Sequence, residues 1–549
     1  MTCQPDHRPL KGALVTFLFC GLVACDNGDN NAERQATDDT PASAVNQPMT
    51  RINAELMLQN YVTSNVENIR VVSTDQAGRV LSDPVIARSE ALSFSVPTAA
   101  ETVEMGLLTE SDKQIGVIIF QPDGEDMTLT LPGEGLAPVD LLNLNIHINA
   151  DIWDLEPKML AGGLGFSNII GVPGFTGTDP YSEQVVKEAG GTWNTLTGCG
   201  DSEPPAGAFT SAQSTSNVLL VNGPPEVLYA GGMPIEFSWP ILFSTVEGSD
   251  FLVTLNDYSQ VYADIATMTP NYDYNERAVA VLFGQFGNRL ELDDPDVLYP
   301  VRIEVVDDGT PLMMVAPDGS LHSAVGLYVN APGSPYRTPG NGPKLTGAKL
   351  NVASAIGDEG PPGFTGSTPN DGISLYGDGA QYRLRVYTTG GYTPDGVMGL
   401  KPTQYNKFFQ VQVRTDAGEL IPLLQSGTEY LIDDETIEVV GLAELGAPGQ
   451  VVDGNDCYIE DKDNQIDIIL KGDLDAVRKV VGVRVPSEQP AGGRTADGYW
   501  QFYNPGGPGN TPVAGTVYTQ GSPDHVVPVT IAIDDPMMVT YIDLRTPVD

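Results

Sequence analysis

Leu142-Asn143-Leu144-Asn145-Ile146-His147-Ile148 is the run on which the fold turns. Apolar and polar residues alternate strictly through it. A helix would scatter such side chains around its axis, whereas an extended strand sends them to two opposite faces. Leu142, Leu144, Ile146 and Ile148 then belong to a core, and Asn143, Asn145 and His147 to a wetted face. A sheet with one face buried and one in water is the antiparallel kind. The run predicts β structure of that kind.

Outward from it, short apolar stretches recur. Ile69–Ser73, Leu92–Val96, Ile115–Phe120 and Met127–Leu131 read as strands, after one short helix over Arg51–Val62. Downstream, Val218–Val221, Ile235–Trp239, Phe251–Leu255, Ala278–Phe283, Val301–Val306 and Ala324–Val329 repeat the pattern. Tyr382–Tyr387, Phe408–Val413, Thr436–Val440 and Ile466–Leu470 do so again. Val480–Val485, Tyr499–Tyr503, Val513–Tyr518, Val526–Ile533 and Val539–Leu544 close the series. Strands and amphipathic helices never alternate in a sustained way, which argues against a parallel α/β sheet. With 60 Gly and 43 Pro to punctuate it, the chain reads as all-β: tandem antiparallel β-sandwich domains, Ig-like or jelly-roll-like, with long Gly/Pro-rich loops.

The expected divisions follow composition. Residues 25–49 form an acidic tether almost without large apolar side chains. A first sandwich spans 50–155, a Gly/Pro-rich connection 156–215, a middle β domain 216–345 and a C-terminal β region 346–549. Within the connection, Ser182–Glu188 has room for a turn or two of helix. Pro173-Gly-Phe-Thr-Gly177 recurs as Pro362-Gly-Phe-Thr-Gly366. Pro-Gly turn chemistry accounts for the echo, and five residues are too few to establish a duplicated unit.

Charge narrows the partners. Lys and Arg total 28 against 72 Asp and Glu, a net charge of −44. Such a field repels nucleic acid and anionic lipid headgroups, and it attracts cations, Ca²⁺ above all. The densest acidic run is Asp453-Gly-Asn-Asp456-Cys-Tyr-Ile-Glu460-Asp461-Lys-Asp463-Asn464-Gln-Ile-Asp467. Ca²⁺ takes six to eight oxygen ligands, so Asp453, Asp456, Asp461, Asp463 and Asp467 are the candidate ligands of an irregular site. It is not an EF-hand, because Ile466 stands where that loop needs glycine.

Other constellations carry less. Beyond His7, the histidines are His147, His322 and His525, with no His-x-His, His-Glu-x-x-His or Cys-x-x-Cys spacing to support a zinc, haem or copper site. His322-Ser323 and Asp524-His525 hold residue types of a serine triad, but neighbours in a strand face opposite ways. Asp293-Asp294, Asp307-Asp308, Asp433-Asp434-Glu435 and Asp534-Asp535 are the adjacent carboxylates from which a glycosidase pair would have to come. Tyr499-Trp500-Gln501-Phe502-Tyr503 sets Trp500 and Phe502 on one face of a strand and Tyr499 and Tyr503 on the other. That makes Tyr499, Trp500 and Tyr503 the residues to stack on a sugar. Cys199 and Cys457 are the two cysteines of the body, and in an oxidising compartment they are expected to pair.

The N-terminus supplies the compartment. After Arg8 and Lys11, Gly12–Ala24 runs without a charge. That is too short for the roughly 20 residues of a membrane crossing, but right for the apolar core of a signal peptide. It ends in Leu22-Val23-Ala24-Cys25, which resembles the lipobox of bacterial lipoproteins, with Val23 where the pattern prefers Ala or Ser. The resemblance implies diacylglyceryl transfer to the Cys25 thiol, removal of residues 1–24 and acylation of the new amine. Two or three acyl chains anchor firmly where one does not. The expected product is a lipid-anchored cell-envelope protein on the inner or outer membrane, of binding or structural type and steadied by Ca²⁺. Its partners would be the membrane, a glycan or an envelope protein. A component of an envelope surface or transport complex, or a polysaccharide hydrolase using paired carboxylates, are the alternatives.

Overall fold

The computed structural model describes residues 47–545 except 64, 90, 134, 163–168, 178–180, 192, 194–209, 211, 270, 289, 332–343, 358–359, 362–370, 390–399, 446–463 and 486–524. Residues from Pro48 onward form one compact unit. Its architecture is all-β, built from mainly antiparallel sheets packed face to face. Among the described residues no helix is long and apolar enough to cross a membrane.

In the first sandwich, Asn68–Thr74, Thr102–Leu108 and Gln114–Phe120 lie side by side in a seven-stranded sheet. A small sheet of Ser93–Pro97, Met49–Asn53 and Met127–Thr128 also contributes, together with helix Glu55–Tyr61. Ile52, Met57, Val71, Met105, Ile118 and Phe120 fill the core between them. In the second, Gly231–Phe237 pairs with Val279–Gly284, and a sheet ordered Gln260–Tyr262, Phe251–Leu255, Pro300–Val305, Tyr328–Asn330 shares its core. In the third, Glu435–Ala443, Gln465–Gly472, Tyr382–Thr388 and Leu345–Val352 run side by side. Gln410–Arg414 and Val480–Val485 join them around Leu384, Val386, Val411, Ile468 and Val483. The cores are continuous, since Ala150 and Tyr541 of the first sheet, and Ile152 just past its strand, pack into the second core.

The sandwiches are not wholly consecutive along the chain. Met538–Asp543 leaves the C-terminal stretch and inserts into the first sheet, parallel to Gln114–Phe120 and antiparallel to Ile146–Asp151. The seam is tight: a Cβ on Gly116 would meet the Thr540 carbonyl oxygen at 2.3 Å.

Three local expectations are corrected. The run 142–148 divides into a helical turn, Pro138–Leu142, and a strand, Ile146–Asp151. All six residues of that strand are buried, His147 included, so it has no wetted face. Val218–Val221 is not a strand but part of helix Thr215–Asn222. Four apolar residues fit either period. Here Ser214, whose hydroxyl accepts from the Asn217 amide, starts a helix, and Gly223 at φ +72° stops it. Arg51–Val62 splits into the end of strand Met49–Asn53 and helix Glu55–Tyr61, whereas Ser182–Glu188 is the expected helix.

Candidate functional site

The polar face of Ile146–Asp151 meets the basic face of Tyr382–Thr388 deep in the molecule. Alternation along Tyr382-Arg-Leu-Arg-Val-Tyr387 puts Leu384 and Val386 in the third core, so Arg383 and Arg385 emerge on the opposite side. Lys349 lies across from Arg385 on the next strand. These cations find Asp151 from the first sheet and Asp467 from the strand paired on the other side of Arg385. Glu276 of the 271–277 loop and Glu444, which takes φ +55° at the end of Glu435–Ala443, complete the cluster.

Arg385 is its centre. Its Nε and Nη2 grip the two oxygens of Asp467 at 2.7 and 2.9 Å in a forked pair. Its Nη1 lies 2.8 Å from Glu276 and 3.4 Å from Asp151, and Nη2 lies 3.4 Å from Glu444. Arg383 reaches both Asp151 oxygens at 3.1 and 3.2 Å. Lys349 pairs with Asp151 and donates to the Met537 carbonyl at 2.7 Å. Three cations thus meet four carboxylates, and none of the seven side chains is more than 4% exposed.

Burial alone would raise the Asp151 pKa, but Arg383, Lys349 and Arg385 outweigh it and lower it to about 2. Burial lowers Lys349 to about 8 against the pull of Asp151. Glu236 is different. Burial pushes it up to about 8, and hydrogen bonds from Asn464 and Thr346 only moderate the rise. Burial thus favours the protonated acid at neutral pH. Thr346 Oγ1 donates to Glu236 Oε2 at 2.9 Å and lies 3.1 Å from the Tyr387 carbonyl oxygen, and Asn464 Nδ2 donates to Glu236 Oε1 at 2.9 Å.

His147 occupies the same interior. Both its ring nitrogens are buried with no hydrogen-bond partner among the described residues. Burial, then the nearby Arg277, hold its pKa well below the usual value. Arg277 donates to the Leu144 carbonyl at 2.8 Å and sits 4.8 Å from the Tyr274 ring centroid.

The expected site residues divide. Asp467 is in the cluster, with both oxygens on Arg385. Cys25, Cys199, Asp453, Asp456, Cys457, Asp461, Asp463, Tyr499, Trp500 and Tyr503 lie outside the described residues. The anchors of two of their segments do meet at one end of the third sandwich. The Thr388 amide donates to Asn464 O, and the Leu345 amide donates to His525 Nδ1.

Among the described residues the triad residue types do not assemble. His322 is near Ser320, but the Ser320 hydroxyl is 2.6 Å from Asp318 and 3.2 Å from His322, which places the serine between base and carboxylate. A triad needs the histidine there. Adjacent carboxylates serve turns and surface pairs: Asp308 accepts from Ser249 and Thr310, Asp433 pairs with Lys479, Asp534 with Arg478 and Asp535 with Lys113. A cleft of about 520 Å³ lies between Glu67, the 109–113 turn and Asp534–Pro536, at the surface.

Lys349, Arg383, Arg385, Glu236, Glu276 and Glu444 were not singled out from sequence. The available signal was the pair of basic residues alternating with Leu384 and Val386, a pattern identical to that of a wet strand. No protein-family model matches this chain, and neither does any curated protein.

Proposed function

We propose that this chain is a lipid-anchored protein of the bacterial cell envelope, of binding or structural type, with an acidic tether carrying a rigid β body. The observation that carries the reading is the uncharged run Gly12–Ala24 ending in Leu22-Val23-Ala24-Cys25. The body agrees in kind. The charged groups best placed for chemistry are spent on one another at a junction of sheets, which suits a scaffold. A net charge of −44 sets nucleic acid aside as a partner. Calcium held by Asp453, Asp456, Asp461 and Asp463 would steady the third sandwich, without Asp467.

Mass spectrometry of the protein from its native host tests this directly. The expected N-terminus is an acylated Cys25, and Cys25→Ser is expected to move the protein from the membrane fraction to the soluble one. An intact Met1, or a Cys25 thiol free of lipid, overturns the reading.

A further inference from the structure

The outer face of the second sandwich carries an ordered set of side chains that neither the core nor the buried ions use. Register aligns Tyr262, Leu252, Glu304 and Tyr328 in one row across four strands, and Gln260, Thr254, Arg302 and Asn330 in the next. Phe251, Val253, Ile303 and Val305 of the same strands are in the core, so both rows look outward. Tyr262 is 55% exposed and Tyr328 50%, at opposite ends of their row. Three strand steps, about 14 Å, separate them. Between them Arg302 lies 3.6 Å from the Tyr328 ring centroid and donates to Glu304 at 3.0 Å. The charges of this face therefore cancel on each other, in a chain of net charge −44.

A second observation lies at the hairpin tip joining the first two strands. Tyr258 there is 86% exposed with φ +69°. A bulky residue in the left-handed region is strained, and this one gains no burial in return. Asp257 fixes the turn by accepting from the Ser259 amide and hydroxyl.

We propose that this face binds a neutral, β-linked polysaccharide lying across the four strands. Sugar rings offer apolar C–H faces and a rim of hydroxyls. The tyrosines match the first, and the Arg302–Glu304 pair with Gln260 and Asn330 matches the second. Neutrality of the polymer follows from charge, because the acidic molecule repels a polyanion. Linkage follows from shape. Two aromatics about 14 Å apart at the ends of one row suit an extended ribbon, whereas a coiled α-linked chain touches one tyrosine at a time. The site is independent of any lipid at Cys25.

The test is calorimetric titration of the full chain in detergent with cellohexaose, and with maltohexaose beside it. Cellohexaose is expected to bind and maltohexaose not. Tyr262→Ala and Tyr328→Ala are each expected to weaken binding about tenfold, that is by about 1.4 kcal/mol, with the melting temperature unchanged. Failure of the wild-type chain to bind cellohexaose, equal binding of maltohexaose, or undiminished binding by the double variant overturns the proposal.

Discussion

Arg385 and Arg478 each grip an aspartate through a forked pair of hydrogen bonds, Asp467 at 2.7 and 2.9 Å and Asp534 at 2.6 Å for both. The geometry is nearly the same, and the surroundings are opposite. Arg385 and Asp467 have no exposed side-chain surface, while Arg478 is 36% exposed and Asp534 74%. Water competes for the outer pair and screens it, so its loss leaves two solvated ions. No water replaces Arg385, and its loss strands buried carboxylates. Contact distance alone therefore says little about what an ion pair contributes.

The most severe way to break this comparison is to remove each arginine. Arg385→Met is expected to destabilise the fold by about 3–5 kcal/mol in urea titration, and Arg478→Met to leave the midpoint unmoved. Equal effects would refute the role given to burial.

Next in size is Glu236, a buried acid with no cation beside it among the described residues. Its folded pKa of about 8 lies above the ordinary 4.5, so the folded state holds the proton more tightly. That contribution is complete below pH 4.5 and is lost as pH rises through 8. Glu236→Gln is expected to remove this loss, gaining on the wild type by a few kcal/mol between pH 5 and 8. Parallel stability curves over that range would show that Glu236 is ionised in the fold.

His147 runs the other way. Its folded pKa is depressed, so its contribution is present above pH 6.5 and fades as acid protonates the unfolded chain first. His147→Leu is expected to flatten the acid limb of the stability curve below pH 6.5. An unchanged acid limb would mean that some other group governs it.

The smallest expected effect concerns the acidic run next to Asp467. If Asp453, Asp456, Asp461 and Asp463 hold Ca²⁺, millimolar Ca²⁺ raises the melting temperature by a few degrees over a chelator, by mass action. Identical melting in both removes calcium from the account.

Much of the β architecture was legible because hydrophobic period survives without knowledge of partners. Phe251–Leu255 and Val480–Val485 are strands with the boundaries their alternation implies. The cluster was not legible, for a physical reason. Alternation reports that two faces differ, and it does not report what covers the polar one. Asn149 and Asp151 continue the polar face of His147. That face looks like one meant for water until Arg383, 232 residues further on, is seen to lie against Asp151. Opposite charges on two distant strands neutralise each other in space and leave no local trace. Nor could the chain's order announce that its last strand belongs to its first sheet, since strand pairing carries no signature in a single segment.

That last strand has a consequence for how the protein comes into being. Met538–Asp543 lies between Gln114–Phe120 and Ile146–Asp151. A polypeptide emerging from its N-terminus, at the ribosome or across a membrane, has made both neighbours hundreds of residues before the piece that joins them. Until then two backbone edges stay unpaired and open to wrong partners, and the native seam must wait for a very distant contact. Closure of the first sheet is timed by the arrival of a strand made long after its neighbours, so chains truncated before Met538 should be exposed and short-lived rather than partly useful.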